Sequence, residues 1–309
     1  MCVQNNFSTF APNYVFLRKM AIKLSIITIN RNNAHGLQKT MQSVLAQTYQ
    51  HFEYVVVDGA STDKSIEIIK QLEQEFQNSA ISLKWISEPD KGIYNAMNKG
   101  IRIANGEYLE FLNSGDLLAA DTVVEKMMSA LSKTDDTDII YGNMIKVKDI
   151  DNISNLKIKN KQVDSCGSTS NITLKMFYRG CLNHSPAYIK KSLFDQYGLY
   201  DETLKICSDW KFYMQSVVLG SAKVMYVNLD VTIFDMNGIS ETRKDILENE
   251  RQQLLSEMIP RGILSDYDKY HFAMSQYDRL KRHHLWGVVY FMERVLFKLE
   301  KWHIIKKTN

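Results

Sequence analysis

YVVVDGASTDKS, the stretch from Tyr54 to Ser65, sets the reading of this chain. Tyr54–Val57 is an unbroken aromatic and β-branched run, too short for a helix and without polar alternation, so it predicts a strand buried on both faces. Asp58 and Gly59 end that run, and from Thr62 to about Phe76 apolar residues return at helical spacing. The same unit recurs on either side. Upstream, the apolar run Leu24–Ile29 precedes a helical pattern over His35–Ala46. Downstream come a strand over Leu83–Ile86, a helix over Ile93–Ala104 and a strand over Tyr108–Leu112. Alternation of this kind predicts an α/β fold whose mostly parallel sheet is covered by helices on both faces.

Ligands of such sheets lie beyond the C-terminal ends of the strands. Here those ends carry Thr28, Asn30 and Arg31, then DGAST from Asp58, SEPDKG from Ser87 and NSGD from Asn113. Polar chemistry therefore converges on one sheet edge. No G-x-G-x-x-G follows the first strand and no G-x-x-x-x-G-K-[ST] occurs, which removes dehydrogenase and P-loop readings. Glu88, Asp90 and Glu110 share no geometry suited to a two-carboxylate glycosidase, because Glu110 falls within a strand.

Composition narrows the class further. With 309 residues, 45% apolar and 24% charged, the chain suits one large globular domain with room for a helical appendage. A net charge of +3 without a recognisable reading motif argues against nucleic acid as a partner. Cys2, Cys166, Cys181 and Cys207 are far apart and form no C-x-x-C pair, so they read as reduced thiols of a cytoplasmic protein. No run approaches the roughly 20 apolar residues of a membrane span. Residues 1–22 lack the features of a signal peptide and read as a dispensable tail, or as a start codon placed too early.

Two acids carry the chemical reading. Asp58 is placed to accept from a base N–H or a ribose hydroxyl, or merely to shape its turn. Asp116 ends FLNSGD, a position from which a carboxylate ligates Mg²⁺ or Mn²⁺ on two phosphates. Its alternative is a helix cap ahead of Leu117–Leu131.

SIITINRNN (25–33), GLQKTMQSVLAQTYQHFEYVVVDGASTDKS (36–65), SEPDKGIYNAMNKGI (87–101) and ANGEYLEFLNSGD (104–116) together resemble family 2 glycosyltransferases of the GT-A fold, most strongly bacterial members that build surface polysaccharides. The likeness is dense from Leu24 to Asp116 and sparser from His184 to Ser240. It implies Thr28, Asn30 and Asp58 at the nucleotide, Asp90 and Lys91 nearby, and Asp116 as the metal ligand. Where many members read FLDSDD, this chain has Asn113 and Gly115, leaving Asp116 as the last acid of the motif, with Asn113 facing ribose or a metal-bound water. The segment KICSDWKF (205–212) nominates Asp209 as the general base for inverting transfer, with Ser208 as a helix N-cap. A first-turn acid favoured by the helix dipole is the alternative. His184 and the segment FDMNGIS (234–240) resemble positions near the acceptor and the donor phosphates, although a hydrogen-bonded histidine and a simple turn account for them equally well.

These implications amount to a GT-A catalytic domain over 23–235 with a helical C-terminal extension over 236–309. The implied donor is a nucleotide-diphosphate sugar, UDP favoured over GDP or TDP. The implied acceptor is a saccharide, free or lipid-linked. A catalytically weak GT-A-like binder of sugar nucleotides is the competing class, motivated by the thinned acidic motif. From Arg279 to Asn309 there are eight Lys or Arg against two acids, and apolar residues recur at Leu285, Val288, Val289, Met292, Leu296 and Leu299. This basic amphipathic helix is read either as a peripheral anchor at the inner face of the membrane or as a packed helix with a solvated basic side.

Overall fold

The computed structural model describes residues 24–134, 136–147, 162–164 and 169–301. The tail expected over 1–22 and most of the stretch over 146–170, whose many Asn, Asp, Lys and Ser residues read as a long surface loop or flap, lie outside the described residues. Contacts divide the chain at Glu250/Arg251 into two compact units.

The first unit is built on strands β1 (Leu24–Asn30), β2 (Glu53–Asp58), β3 (Ser82–Ser87) and β4 (Tyr108–Phe111). They run parallel in the spatial order β3-β2-β1-β4. All seven residues of β1 are buried, as are the last five of β2, which is why these runs carry no polar alternation. Helices α1 (Ala34–Leu45) and α2 (Ser65–Gln77) cover one face. From them Leu37, Met41, Val44, Ile69, Leu72 and Phe76 join Leu24, Ile26, Tyr54 and Val56 in one core cluster. Helix α3 (Ile93–Ile103) lies on the other face. A Cβ on its Gly100 would sit 2.5 Å from Ile27 Cγ2, so glycine sets how near α3 approaches the sheet.

Beyond β4 the sheet changes direction. Strand β8 (Ala187–Lys190) pairs antiparallel with β4, and β6 (Ile139–Val147) pairs antiparallel with β8. Strand β9 (Val224–Asp235) lies parallel to β6, and the two-residue β5 (Leu117–Leu118) closes the order, antiparallel to β9; β7 (Gln162–Asp164) pairs with β6 to the side. The helix expected over Leu117–Leu131 therefore requires correction. Leu117 and Leu118 pair with Ile233 and Thr232, and helix α4 begins only at Val123 and ends at Leu131. Asp116 precedes a strand, so it is not a helix cap.

The remaining helices of this unit are short: α5 (Leu174–Arg179), α6 (Ser192–Tyr197), α7 (Ser208–Tyr213), continued by a π turn over Met214–Val218, and α8 (Ile239–Thr242). Ser208 is the first residue of α7 rather than its N-cap, which is Cys207. Its Oγ instead accepts from the Asp201 N–H at 2.5 Å. Helix α9 (Lys244–Met258) crosses the division between units, and Glu250 on it accepts the N–H groups of Lys205, Ile206 and Cys207, fixing the approach to α7. The second unit contains α10 (Arg261–Arg282) and α11 (Trp286–Lys301).

Candidate active site

Register alone brings three polar residues into a row. Asn30 pairs with Asp58 and Asp58 with Ser87 at the ends of β1, β2 and β3. Asp58 Oδ1 accepts from Asn30 Nδ2 at 2.8 Å and Ser61 Oγ at 2.6 Å; Oδ2 accepts from Ser61 N at 2.9 Å and Ser87 Oγ at 2.7 Å. Burial pushes this carboxyl up, but the Ser61 hydroxyl and N–H, with Ser87 and Asn30, outweigh it and hold it below its ordinary value. Four donors occupy the four lone-pair positions of the carboxylate. Asp58 thus ties the strand ends together and does not line the cavity. Thr28 is also withdrawn. It is fully buried, its Oγ1 donating to Leu112 O at 2.6 Å and accepting from Tyr54 Oη at 2.9 Å, and it does not line the cavity.

A cavity of about 590 Å³ opens where the ends of β1, α3 and β9 meet the loop before Asp116. Its volume is in the range of small-ligand sites. Of the residues expected at the donor, Asn30, Asp90, Asn113 and Asp116 line it; Lys91 is exposed outside it. Two lining side chains, Asn30 and Asn113, each hold a buried Oδ1 with no hydrogen-bond partner. Unsatisfied buried acceptors are costly, and here both sit in the walls of one cavity. Asp90 is braced by Lys99, whose Nζ lies 2.7 Å from Asp90 Oδ1 and 2.9 Å from Glu88 Oε1. Gly59 makes room for this arrangement, because a Cβ there would meet Asp90 Oδ2 at 2.6 Å.

The loop carrying Asp116 is held from below by α1. Thr40 Oγ1 lies 2.8 Å from Asp116 O and accepts from Gly115 N at 3.0 Å, while Asn33 Nδ2 donates to Ser114 O at 3.1 Å. Gly115 has φ +107°, a conformation that disfavours the second Asp of the commoner FLDSDD pattern. Strand β9 delivers a residue that sequence reasoning did not single out. Asp235, next in chain after Phe234, donates its N–H to Asp116 Oδ1 at 3.1 Å and lines the same cavity. Burial pushes the Asp116 carboxyl up to about 7; the Asp235 N–H lowers it and the Asp235 charge raises it again. The available signal was an acid ending a long apolar run, as at Asp58 and Asp116.

These two carboxylates and the bare Asn113 carbonyl form an all-oxygen set that fits a hard divalent cation, which takes one or two carboxylates and completes its shell from phosphates and water. Among the described residues no group of three or more His, Cys, Asp or Glu is arranged to hold a metal alone. Among the described residues Arg31 is the one Lys or Arg that lines the cavity.

Asp209, in the first turn of α7, is partly exposed and takes the Tyr94 hydroxyl on Oδ1 at 2.9 Å; that hydroxyl also contacts Ile206 O. Asp209 does not itself line the cavity, but its partner Tyr94 sits on α3 between Ile93 and Ala96, which do. His184 stacks on Phe111 with ring centroids 4.8 Å apart, and its Nε2 lies 2.7 Å from Tyr200 Oη. Burial pushes the imidazole below its ordinary value, partly opposed by the Asp209 charge. Asn95 and Asn98 donate to the two oxygens of Glu202 at 2.7 and 2.8 Å, pinning α3 to the segment ahead of α7.

Residues 25–198 match the model of glycosyl transferase family 2. The chain belongs to that family. A Mycobacterium tuberculosis relative, an uncharacterised glycosyltransferase, is 29% identical over 225 residues, 72% of this chain and 78% of its own. A PGL/p-HBAD biosynthesis glycosyltransferase of Mycobacterium bovis is 25% identical over 222 residues, 72% of this glycosyltransferase and 80% of its own chain. Two solved structures share the GT-A fold. Residues 1–349 of S. aureus TarS, in complex with UDP, superpose with a TM-score of 0.56 at 17% identity, covering 77% of this chain and 71% of that one. The mannosyltransferase PcManGT of Pyrobaculum calidifontis, in complex with GDP-Man and Mn²⁺, gives 0.52 at 17% identity, covering 69% and 56%.

Proposed function

We propose that this glycosyltransferase moves a hexose or hexosamine from a UDP-sugar, with inversion, to a saccharide acceptor, free or lipid-linked, in cell-surface polysaccharide synthesis at the cytoplasmic face of the membrane. The observation that carries the donor reading is the cavity at the ends of the parallel strands, where Asp116 and Asp235 meet the bare acceptors of Asn30 and Asn113. Those two carbonyls are acceptors for ribose hydroxyls or a base N–H. TarS with UDP and PcManGT with GDP-Man and Mn²⁺ support a nucleotide-sugar donor used with a divalent metal.

Asp116 and Asp235 would hold Mn²⁺ or Mg²⁺, with the Asn113 carbonyl beside them. When bound, the metal offsets negative charge on the leaving diphosphate. Arg31, at the same cavity, adds positive charge for that group. Asp209 takes the proton of the acceptor hydroxyl, and the Tyr94 hydroxyl keeps its carboxylate in one orientation.

UDP release measured over a panel of UDP-sugars and simple saccharides tests the proposal. Asp116→Ala abolishes release and Asp209→Asn lowers it by about 10²–10⁴. Full turnover by either variant overturns the corresponding assignment. The Asn113 and Gly115 substitutions favour a second reading, a sugar-nucleotide binder; Mn²⁺-dependent UDP binding without turnover of any donor decides for it.

A further inference from the structure

A turn at His283–Leu285 joins helices α10 and α11 and brings Tyr277 and Trp286 edge to face, ring centroids 4.4 Å apart. Neither helix has a buried residue. On α11, Val288, Phe291, Met292, Val295 and Leu296 recur at the i, i+3, i+4, i+7, i+8 spacing of one helix face, and each is between 40% and 66% exposed. One exposed apolar side chain is ordinary; five in register form a patch that marks an interaction surface. Trp286, Tyr290 and Phe297 are also exposed and lie on the opposite side of the helix. Arg294, Lys298 and Lys301, again at helical spacing, border one edge of the stripe, and Arg279, Lys281 and Arg282 crowd the last turn of α10.

We propose that α11 lies flat in the headgroup region of a membrane containing anionic lipid, its apolar face inserted and its basic residues on phosphates. A helix of 16 residues is about 24 Å long, enough to lie on a membrane, and among the described residues no helix is long and apolar enough to cross one. Charge selects this occupant. From Arg279 to Lys301 there are six Lys or Arg against two acids, Glu293 and Glu300, so an anionic surface complements the segment, whereas a second copy repeats its positive excess. The inference rests on the surface of α11 and not on the donor assignment.

The test is co-sedimentation of the full chain with vesicles of phosphatidylcholine alone and of phosphatidylcholine mixed with phosphatidylglycerol, at low and high salt. Expected are preferential binding to the mixed vesicles, weakening as salt is raised, and a loss of about a hundredfold for Arg294→Gln, Lys298→Gln and Lys301→Gln combined. Phe291→Ser with Leu296→Ser also releases the chain. Thermal stabilisation of each variant by UDP with Mn²⁺ reports that the first unit is intact, and failure of that readout in the wild type would count against the donor assignment while leaving the vesicle result standing. Equal binding to both vesicle types, no binding to either, or self-association abolished by Phe291→Ser with Leu296→Ser without vesicle binding overturns the proposal.

Discussion

Replacing Asp116 by Asn removes a carboxyl that the fold strains to keep, so the variant gains stability as it loses function. Burial and the neighbouring Asp235 charge move this carboxyl from an ordinary value of 3.8 to about 7. The folded chain therefore binds a proton over the window from about pH 4 to about pH 7 that the unfolded chain has released, and wild-type stability falls as pH rises through that window. A displacement of roughly three pK units corresponds to about 4 kcal/mol at full ionisation. Asn keeps an oxygen for the Asp235 N–H and carries no titrating proton, so Asp116→Asn lacks this slope. Urea unfolding of both proteins in chelated buffer at half-unit steps from pH 4 to pH 8.5 measures the difference. The curves should meet near pH 4 and separate by up to about 4 kcal/mol at the alkaline end, the variant above. Adding Mn²⁺ with UDP should recover part of the gap in the wild type only. Parallel curves across the range would refute the reasoning, since Asp116 would then sit in solvent-like surroundings in the folded chain.

Four further outcomes follow from the geometry. Asp235→Asn should weaken Mn²⁺-dependent UDP binding about tenfold, by calorimetry, while UDP binding without metal changes little. Tyr94→Phe, which frees Asp209 from its hydroxyl partner, should lower kcat with little change in donor KM, read from initial rates over a range of donor concentrations. Glu110 is buried within β4 opposite Tyr188, and burial holds its carboxyl well above the ordinary value, the Tyr188 hydroxyl opposing this only in part. Stability should fall as pH rises above the ordinary glutamate range, and Glu110→Gln should flatten that fall in denaturant titrations. Gly100→Ala should cost about 1–3 kcal/mol in unfolding free energy, since its Cβ would overlap Ile27 and push α3 from the sheet.

The parallel half of the sheet was legible because local pattern and tertiary placement agree there. Val55–Val57 are apolar at every position because both faces are covered, and Asp58–Gly59 interrupts the run where the sheet ends. In the antiparallel half the strand at Ala187–Lys190 and the helices from Ser192 and Ser208 were legible as local patterns, but β5 was not. Leu117 and Leu118 read as the first turn of the helix that follows, and only their pairing with Thr232 and Ile233, more than a hundred residues later, makes them a strand. The resemblance placed the segment FDMNGIS near the donor phosphates, but the same distance hid which of its residues meets Asp116, namely Asp235. Thr28 stays out of the cavity for a different reason. Sequence puts it two residues from the edge, but its hydroxyl is consumed by Leu112 O and Tyr54 Oη inside the sheet, where a strand-end reading cannot look. Asn30 and Asn113 were named as donor contacts from their position, but their empty carbonyls became visible only with every potential partner in place.

The short ladder between β5 and β9 also orders the making of the protein. Asp116 emerges from the ribosome with the parallel strands β1–β4 behind it, while Leu117 and Leu118 still lack the strand they pair with and Asp235 has yet to be translated. On the proposed assignment, Asp116 meets Asp235 only once β9 has been made.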